Sequence, residues 1–202
     1  MPRGVVDLQG LRSPEAEALR AIAPPRGLPF AIGKLGHVVI RVRDLERSVR
    51  FYVEVLGFRV SDVYPDTMMK GGMVFLRCNA DHHGVALIGG ATGPSQGTEL
   101  HHMAFEVSSL DEVIRVRDHL RRHKAQIDFE GRRRAGVQIA VEFRDPDGHR
   151  LEVYWGLDQI GSDGVVRPGD EWKGAKSLKE AIEDPVRGQD TSLRDPSLAA
   201  RL

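Results

Sequence analysis

The chain has one cysteine, Cys78, in 202 residues. A lone cysteine closes no internal disulfide and builds no cysteine-based zinc knuckle, so a metal here must be held by histidine and carboxylate. Net charge is also missing: 29 Lys and Arg balance 29 Asp and Glu. That balance argues against a nucleic-acid binder driven by phosphate contacts, and the one basic run, Arg132-Arg133-Arg134, reads as a solvated loop. No apolar run approaches the roughly 20 residues of a membrane helix. Met1 to Gly10 carries neither a basic-then-apolar leader pattern nor a glycine after Met1 for myristoylation. A reduced, cytoplasmic protein with no membrane and no nucleic-acid partner is expected. What the chain does have is a 41% hydrophobic content, enough to build a core, and eight histidines. Its length allows one domain or two small similar halves.

Residues 1–33 read as a lead-in. Ser13-Pro14-Glu15 opens a short helix to about Ala23, ended by Pro24-Pro25. From Lys34 the patterning tightens. Val38, Ile40 and Val42 alternate as a strand, and Asp44 is placed to cap a helix carrying Leu45, Val49, Tyr52, Val53 and Leu56. Gly57 stops that helix. Phe58–Val63, Met73–Cys78 and Gly84–Ile88 read as three more strands. After a Gly/Pro/Ser/Thr-rich connector the pattern restarts. Leu100–Val107 alternates, Ser109 and Glu112 have capping-box spacing, and an amphipathic helix runs through Leu120. Strands then fall at about Ala125–Phe129, Val137–Phe143 and Arg150–Trp155, the last two joined by the turn Asp145-Pro146-Asp147-Gly148. An offset of 65 superimposes the halves: Leu35 on Leu100, His37 on His102, Val42 on Val107, Leu45 on Leu110. The organisation is one βαβββ unit used twice, over 34–90 and 99–157, followed by a polar tail, 158–202, with a short helix opened by Ser177.

The period of two along a strand assigns faces. Val38, Ile40 and Val42 share the helix side of the first strand, leaving His37 and Val39 on the other. Met103, Phe105 and Val107 leave His102 and Ala104 on the other. In the last strand Glu152 and Tyr154 oppose Leu151, Val153 and Trp155. A single strand histidine is more often a structural residue, but His37, His102 and Glu152 occupy matching faces, and two of them are related by the repeat. Two neutral imidazoles and one carboxylate make the facial set suited to non-haem Fe(II). His83 precedes a strand and could reach the same cavity as a proton carrier, or be a surface residue. Tyr154 could line the cavity or simply pack. His119, His123 and His149 read as solvated, and Cys78 as packed in its strand.

Gly36-His37-Val38-Val39, Phe51-Tyr52 through Val55-Leu56-Gly57-Phe58, and Asp145-Pro146-Asp147-Gly148 through Leu151-Glu152-Val153 resemble the vicinal oxygen chelate superfamily of glyoxalases, bleomycin-resistance proteins and type I extradiol ring-cleaving dioxygenases. The stretches Phe75–Leu87 and Leu100–Phe105 are most similar to the extradiol branch. The resemblance implies an α+β fold, two βαβββ modules forming a curved open sheet around a metal site. It implies His37, His102 and Glu152 as ligands of Fe(II), with Mn(II) or another divalent ion as substitutes, and His83 as acid–base residue. It further implies a small aromatic diol and O₂ as substrates, and a homodimer. Glyoxalase-like members place a fourth ligand at the first-module counterpart of Glu152, which falls here at Leu87 by the repeat offset or at Ala86 by the hairpins. Neither binds metal. Two pocket groups of the branch, a histidine and a tyrosine, fall at Arg133 and Glu142, so the substrate pocket is expected to differ. The competing expectations are an O₂-independent metal-dependent isomerase or lyase, and a non-catalytic small-molecule binder.

Overall fold

The computed structural model describes residues 6–24, 26–27, 29–161 and 164–202. Its first helix, α1 (Pro14–Arg20), starts where Ser13 Oγ accepts from Ala16 N, with proline in the first turn. It ends three residues before the expected Ala23. Pro25, half of the expected stop, lies outside the described residues.

Two four-stranded mixed sheets follow. Sheet one runs β1 (Val38–Arg41), β4 (Val85–Ile88), β3 (Met73–Arg77), β2 (Arg59–Tyr64). Sheet two runs β5 (Met103–Glu106), β8 (Arg150–Trp155), β7 (Ile139–Arg144), β6 (Ile127–Arg132) in the same order. In each, the first strand pairs parallel with the fourth, and the others pair antiparallel. A bulge interrupts each outer pair, at Val60/Asp62 and at Ile127/Phe129. The repeat thus extends to an irregularity that no periodicity shows. The fold is α+β, with two open sheets and no closed barrel.

The helices are set by their caps. Asp44 accepts from Arg47 N at 3.0 Å to open α2 (Leu45–Arg50). Ser109 accepts from Glu112 N at 3.3 Å to open α3 (Leu110–Arg122). The expected single α-helix through Leu56 is not what forms. After Arg50 the backbone widens to a π-turn over Phe51–Val55, with Leu56 N donating to Phe51 O at 3.2 Å. The wide turn carries fully buried Tyr52, whose ring meets Phe51 and Phe58 edge-on. Gly57, at φ +76°, reverses the chain into β2, a conformation that costs glycine little.

One apolar cluster takes the helix-side residues of both sheets. Ile40, Val74, Leu76, Val85 and Leu87 from sheet one join Met103, Val141, Phe143, Leu151 and Val153 from sheet two, with Tyr52, Val113, Ile114 and Leu120 from the helices. A separate small cluster of Met73, Phe75 and Ala86 lies on the opposite face of sheet one. The modules are also tied by polar contacts. Asp147, in the β7–β8 turn, accepts from Arg43 N and Nε, Arg47 Nη2 and Ser48 Oγ, and Phe58 packs edge-on against Phe105.

Four readings of single residues change. Arg132 is not in a solvated loop but 2% exposed at the end of β6. Its guanidinium donates to the carbonyls of Lys173, Ala181 and Asp184, and its backbone bridges Ala175. The tail, including α4 (Leu178–Glu183), is clamped there. His149 is not solvated: it pairs with buried Asp145 at 3.0 Å, and its side chain is 11% exposed. His119 is half-buried, with Nε2 at 2.9 Å from Val55 O. Cys78 falls just past the end of β3 and is exposed rather than packed.

Candidate metal centre

Strand register decides which residues can meet. Ala104 pairs with Glu152 across β5 and β8, and Val39, its repeat mate, pairs with Ala86 across β1 and β4. The first-module counterpart of Glu152 is therefore Ala86, fully buried and unable to bind metal, rather than Leu87. The repeat therefore supplies one carboxylate, Glu152, with no counterpart to it in the first module.

Glu152 is 2% exposed. Burial raises its pKa, as does neighbouring Glu142, while a hydrogen bond from Gln138 and the charges of His102 and Arg133 act in the other direction. Gln138 Nε2 donates to Oε1 at 3.3 Å, and His102 Nε2 faces Oε2 at 3.5 Å. Gln138 Oε1 is itself buried without a partner. A buried carboxylate is costly unless a cation or hydrogen bonds compensate it, so this corner suits an added positive ion.

A chain of hydrogen bonds orients His102. Arg150 Nη1 lies 3.0 Å from His101 Nε2 and can only donate. With neutral rings, His101 then carries its proton on Nδ1 and donates to His102 Nδ1 at 2.8 Å. The proton of His102 is left on Nε2, facing Glu152. A ligand role would use that same nitrogen, so His102 would have to carry its proton on Nδ1 instead and the His101–His102 hydrogen bond would run the other way. Gln138, His101 and Arg150 were not singled out from the sequence. Gln138 had a signal, since it lies two positions from Ala140 and four from Glu142 on the Glu152 face of β7.

The pocket positions Arg133 and Glu142 form an ion pair, with Arg133 Nε 2.6 Å from Oε1. The guanidinium also lies 3.7 Å above the Phe129 ring. Glu142 is directly paired with Glu152 across the strands. Tyr154 is half-buried, its pKa raised by burial and then by Glu106 and Glu152.

His37 and His83 meet on the other sheet. Their ring centroids are 4.5 Å apart, and His83 sits edge-on to Phe75 at 5.0 Å. His82 Nδ1 is 3.0 Å from His83 Nδ1. Burial, then the charges of His37 and His82, hold the His83 pKa below the ordinary 6.5. Among the described residues no three His, Cys, Asp or Glu side chains are gathered as a metal-holding group. The donor types suit Fe(II) or Mn(II), but one copy assembles them as two pairs, His102 with Glu152 and His37 with His83, and not as a triad.

The signature described as Glyoxalase/Bleomycin resistance protein/Dioxygenase superfamily matches residues 34–153. The chain is 31% identical over 147 residues to 3-methylcatechol 2,3-dioxygenase of Pseudomonas putida, covering 70% of this chain and 49% of that protein. It is 31% identical over 154 residues to biphenyl-2,3-diol 1,2-dioxygenase of Paraburkholderia xenovorans, covering 72% and 49%. The chain therefore spans about half the length of these curated relatives. Among solved structures, a glyoxalase/bleomycin resistance protein/dioxygenase domain from Frankia is similar in fold, with TM-score 0.53 and 23% identity over 62% of this chain and 99% of that one. The repeated βαβββ order, the register that seats Glu152 beside His102, and these matches agree: the chain belongs to the glyoxalase/bleomycin resistance protein/dioxygenase superfamily.

Proposed function

We propose that the protein is an extradiol dioxygenase that opens a catechol-type ring with O₂, using Fe(II) held by His37, His102 and Glu152. The observation that carries this reading is the buried Glu152 carboxylate facing His102 Nε2 at 3.5 Å, with the apolar Ala86 at its counterpart. A single carboxylate among three ligands leaves coordination positions open for a bidentate diol and for O₂. The relatives point the same way. One from Rhodococcus jostii is named an iron-dependent extradiol dioxygenase, and one from Geobacillus is named a manganese-dependent 2,3-dihydroxybiphenyl 1,2-dioxygenase.

The chain's own groups have separate tasks. His83, kept neutral by burial and by its histidine neighbours, accepts a proton from a diol hydroxyl and returns it during ring opening. Phe75 meets His83 edge-on and gives the ring an apolar wall. The Arg133–Glu142 pair stands where the extradiol branch has a histidine and a tyrosine, so the substrate is one tolerating a charged pair at the pocket rim.

Anaerobic reconstitution with Fe(II), a panel of catechols and then admission of air tests this. The expected result is O₂ uptake with yellow ring-opened product. Absence of uptake with every catechol, in protein that holds iron, sinks the reading.

A further inference from the structure

The connection from β6 to β7 turns over residues 134–137 and is closed by Arg133 N donating to Gln138 O at 3.0 Å. Two of its residues have left-handed backbone, Gly136 at φ +76° and Val137 at φ +50°. Glycine takes that conformation freely. A β-branched residue does not, so it persists there only where its surroundings impose it. Val137 is fully buried, and the tail supplies what holds it. Gln189 Nε2 donates to Val137 O at 2.9 Å, while Gln189 Oε1 accepts from Arg132 Nη1 at 3.4 Å. Both ends of this amide are in use, which fixes its orientation. Gly136 is held as well. Its carbonyl accepts from Asp158 N at 2.9 Å, and a Cβ there would lie 2.6 Å from Leu157 Cδ1.

Val137 O belongs to the planar peptide whose nitrogen is that of Gln138. Holding this carbonyl sets the plane of that peptide, and with it the direction in which the Gln138 side chain leaves the backbone. Gln138 points at the site, with Nε2 donating to Glu152 Oε1 at 3.3 Å. Its other end gives no help in aiming it, because Gln138 Oε1 is buried without a partner among the described residues. An amide anchored at one end takes its aim from its backbone, and this backbone is strained and held from the tail.

We propose that Gln189 is a positioning residue for the metal site: from the tail it holds Val137 in its left-handed form, and Val137 in turn aims Gln138 at the Glu152 carboxylate. This rests on Glu152 as a metal ligand, proposed above, and adds that the tail, outside both modules, sets how that ligand is presented. A ligating carboxylate held by a hydrogen bond keeps its orientation, and losing such a partner costs about 10- to 100-fold in metal affinity.

Mn(II) binding to the full chain, read by electron paramagnetic resonance, tests this without turnover. Gln138→Met keeps the length of the side chain and removes the donor to Glu152. It is expected to bind Mn(II) about 10-fold more weakly than the parent, with an altered line shape. Gln189→Glu keeps an acceptor for Arg132 and removes the donor to Val137 O. It is expected to show the same loss and the same line shape, while its tail resists limited proteolysis as the parent's does. Gln189→Met, which has neither donor nor acceptor, is the second variant at that position and should lose Mn(II) equally. The double variant Gln138→Met with Gln189→Glu decides the route. If Gln189 acts through Gln138, the double variant binds no more weakly than Gln138→Met alone, whether or not the tail opens. Losses that add overturn the proposal, as does Mn(II) binding at the parent's level in Gln138→Met or in both Gln189 variants, while the ligand set stands. A parent that binds no Mn(II) removes the ligand set itself, and this proposal falls with it.

Discussion

Asp147 shows how much a single carboxylate can carry. Its side chain is 1% exposed, and burial alone would raise its pKa, yet hydrogen bonds from Ser48, Arg43 and Arg47 bring it from 3.8 to about 2. A native pKa below the unfolded one means that the contribution is present above about pH 4 and lost as pH falls toward 2. The size is about 2 kcal/mol at neutral pH. Asp147→Asn is therefore expected to lower unfolding free energy by about 2 kcal/mol at pH 7. The gap from the parent should narrow as urea titrations move from pH 4 to pH 2, and a gap independent of pH contradicts the assignment. At the proposed site the corresponding residue is His83. His83→Gln keeps the shape of the ring's surroundings but cannot take a proton, so it should retain iron and lose most turnover. Full activity would remove His83 from acid–base chemistry.

At the scale of elements, the ends of α3 are informative. Its start, Ser109, was legible from capping-box spacing, and so was Ser177 for α4, whose Oγ accepts from Glu180 N at 3.1 Å. Its end was not, because the reversal is made by a lysine. Lys124 sits at φ +55°, with Lys124 N bonded to Arg121 O and Ala125 N to Leu120 O, a Schellman motif without its usual glycine. Lys124→Gly is expected to raise stability by about 0.5–1 kcal/mol, checked by thermal melts. The succession of strands and their faces were legible for a plain reason: Val38-Val39-Ile40 sets its exposed residue between two helix-side ones, and Leu151-Glu152-Val153 sets a carboxylate between two residues of the shared core. The π-turn at Phe51–Val55 was hidden because helical periodicity does not distinguish i→i+4 from i→i+5 bonding over five residues. Arg132 was hidden because its burial depends on three tail carbonyls, more than 40 residues away in sequence. At the candidate site, residue types and strand faces could be read locally. Which sheet face meets which depends on how the two modules pack, and no local pattern records that.

At the scale of the whole molecule, the tail is built into the second module. Arg132 anchors it from within the sheet, and Gly131 makes room for it. A Cβ on Gly131 would lie 2.2 Å from Ala175 O, and the backbone there has φ +140°. Arg132→Met would leave the carbonyls of Ala181 and Asp184 without their donor. It is expected to destabilise the fold by about 3 kcal/mol and to open residues 158–202 to limited proteolysis ahead of the sheets. Cleavage patterns unchanged from the parent would show that the tail holds by its apolar contacts alone. Among the described residues no helix is long and apolar enough to cross a membrane.

The tail clamp gives the two repeats unequal margins. In the second module the outer strand β6 is met by the chain at Ala175, which exchanges backbone hydrogen bonds with Arg132. In the first, β2 is the corresponding outer strand, and all but one of its residues are exposed, including Val60 and Val63. An unsealed strand is a template for adventitious pairing, and here its bulge and its charged Arg59 and Asp62 are what blunt it. Shortening the protein to residue 157 would give it a second raw margin, blunted only by the bulge at Ile127/Phe129 and by Asp128 and Glu130. The clamp is thus also a guard against chain-to-chain stacking, and its loss should appear first as concentration-dependent turbidity, before any loss of secondary structure.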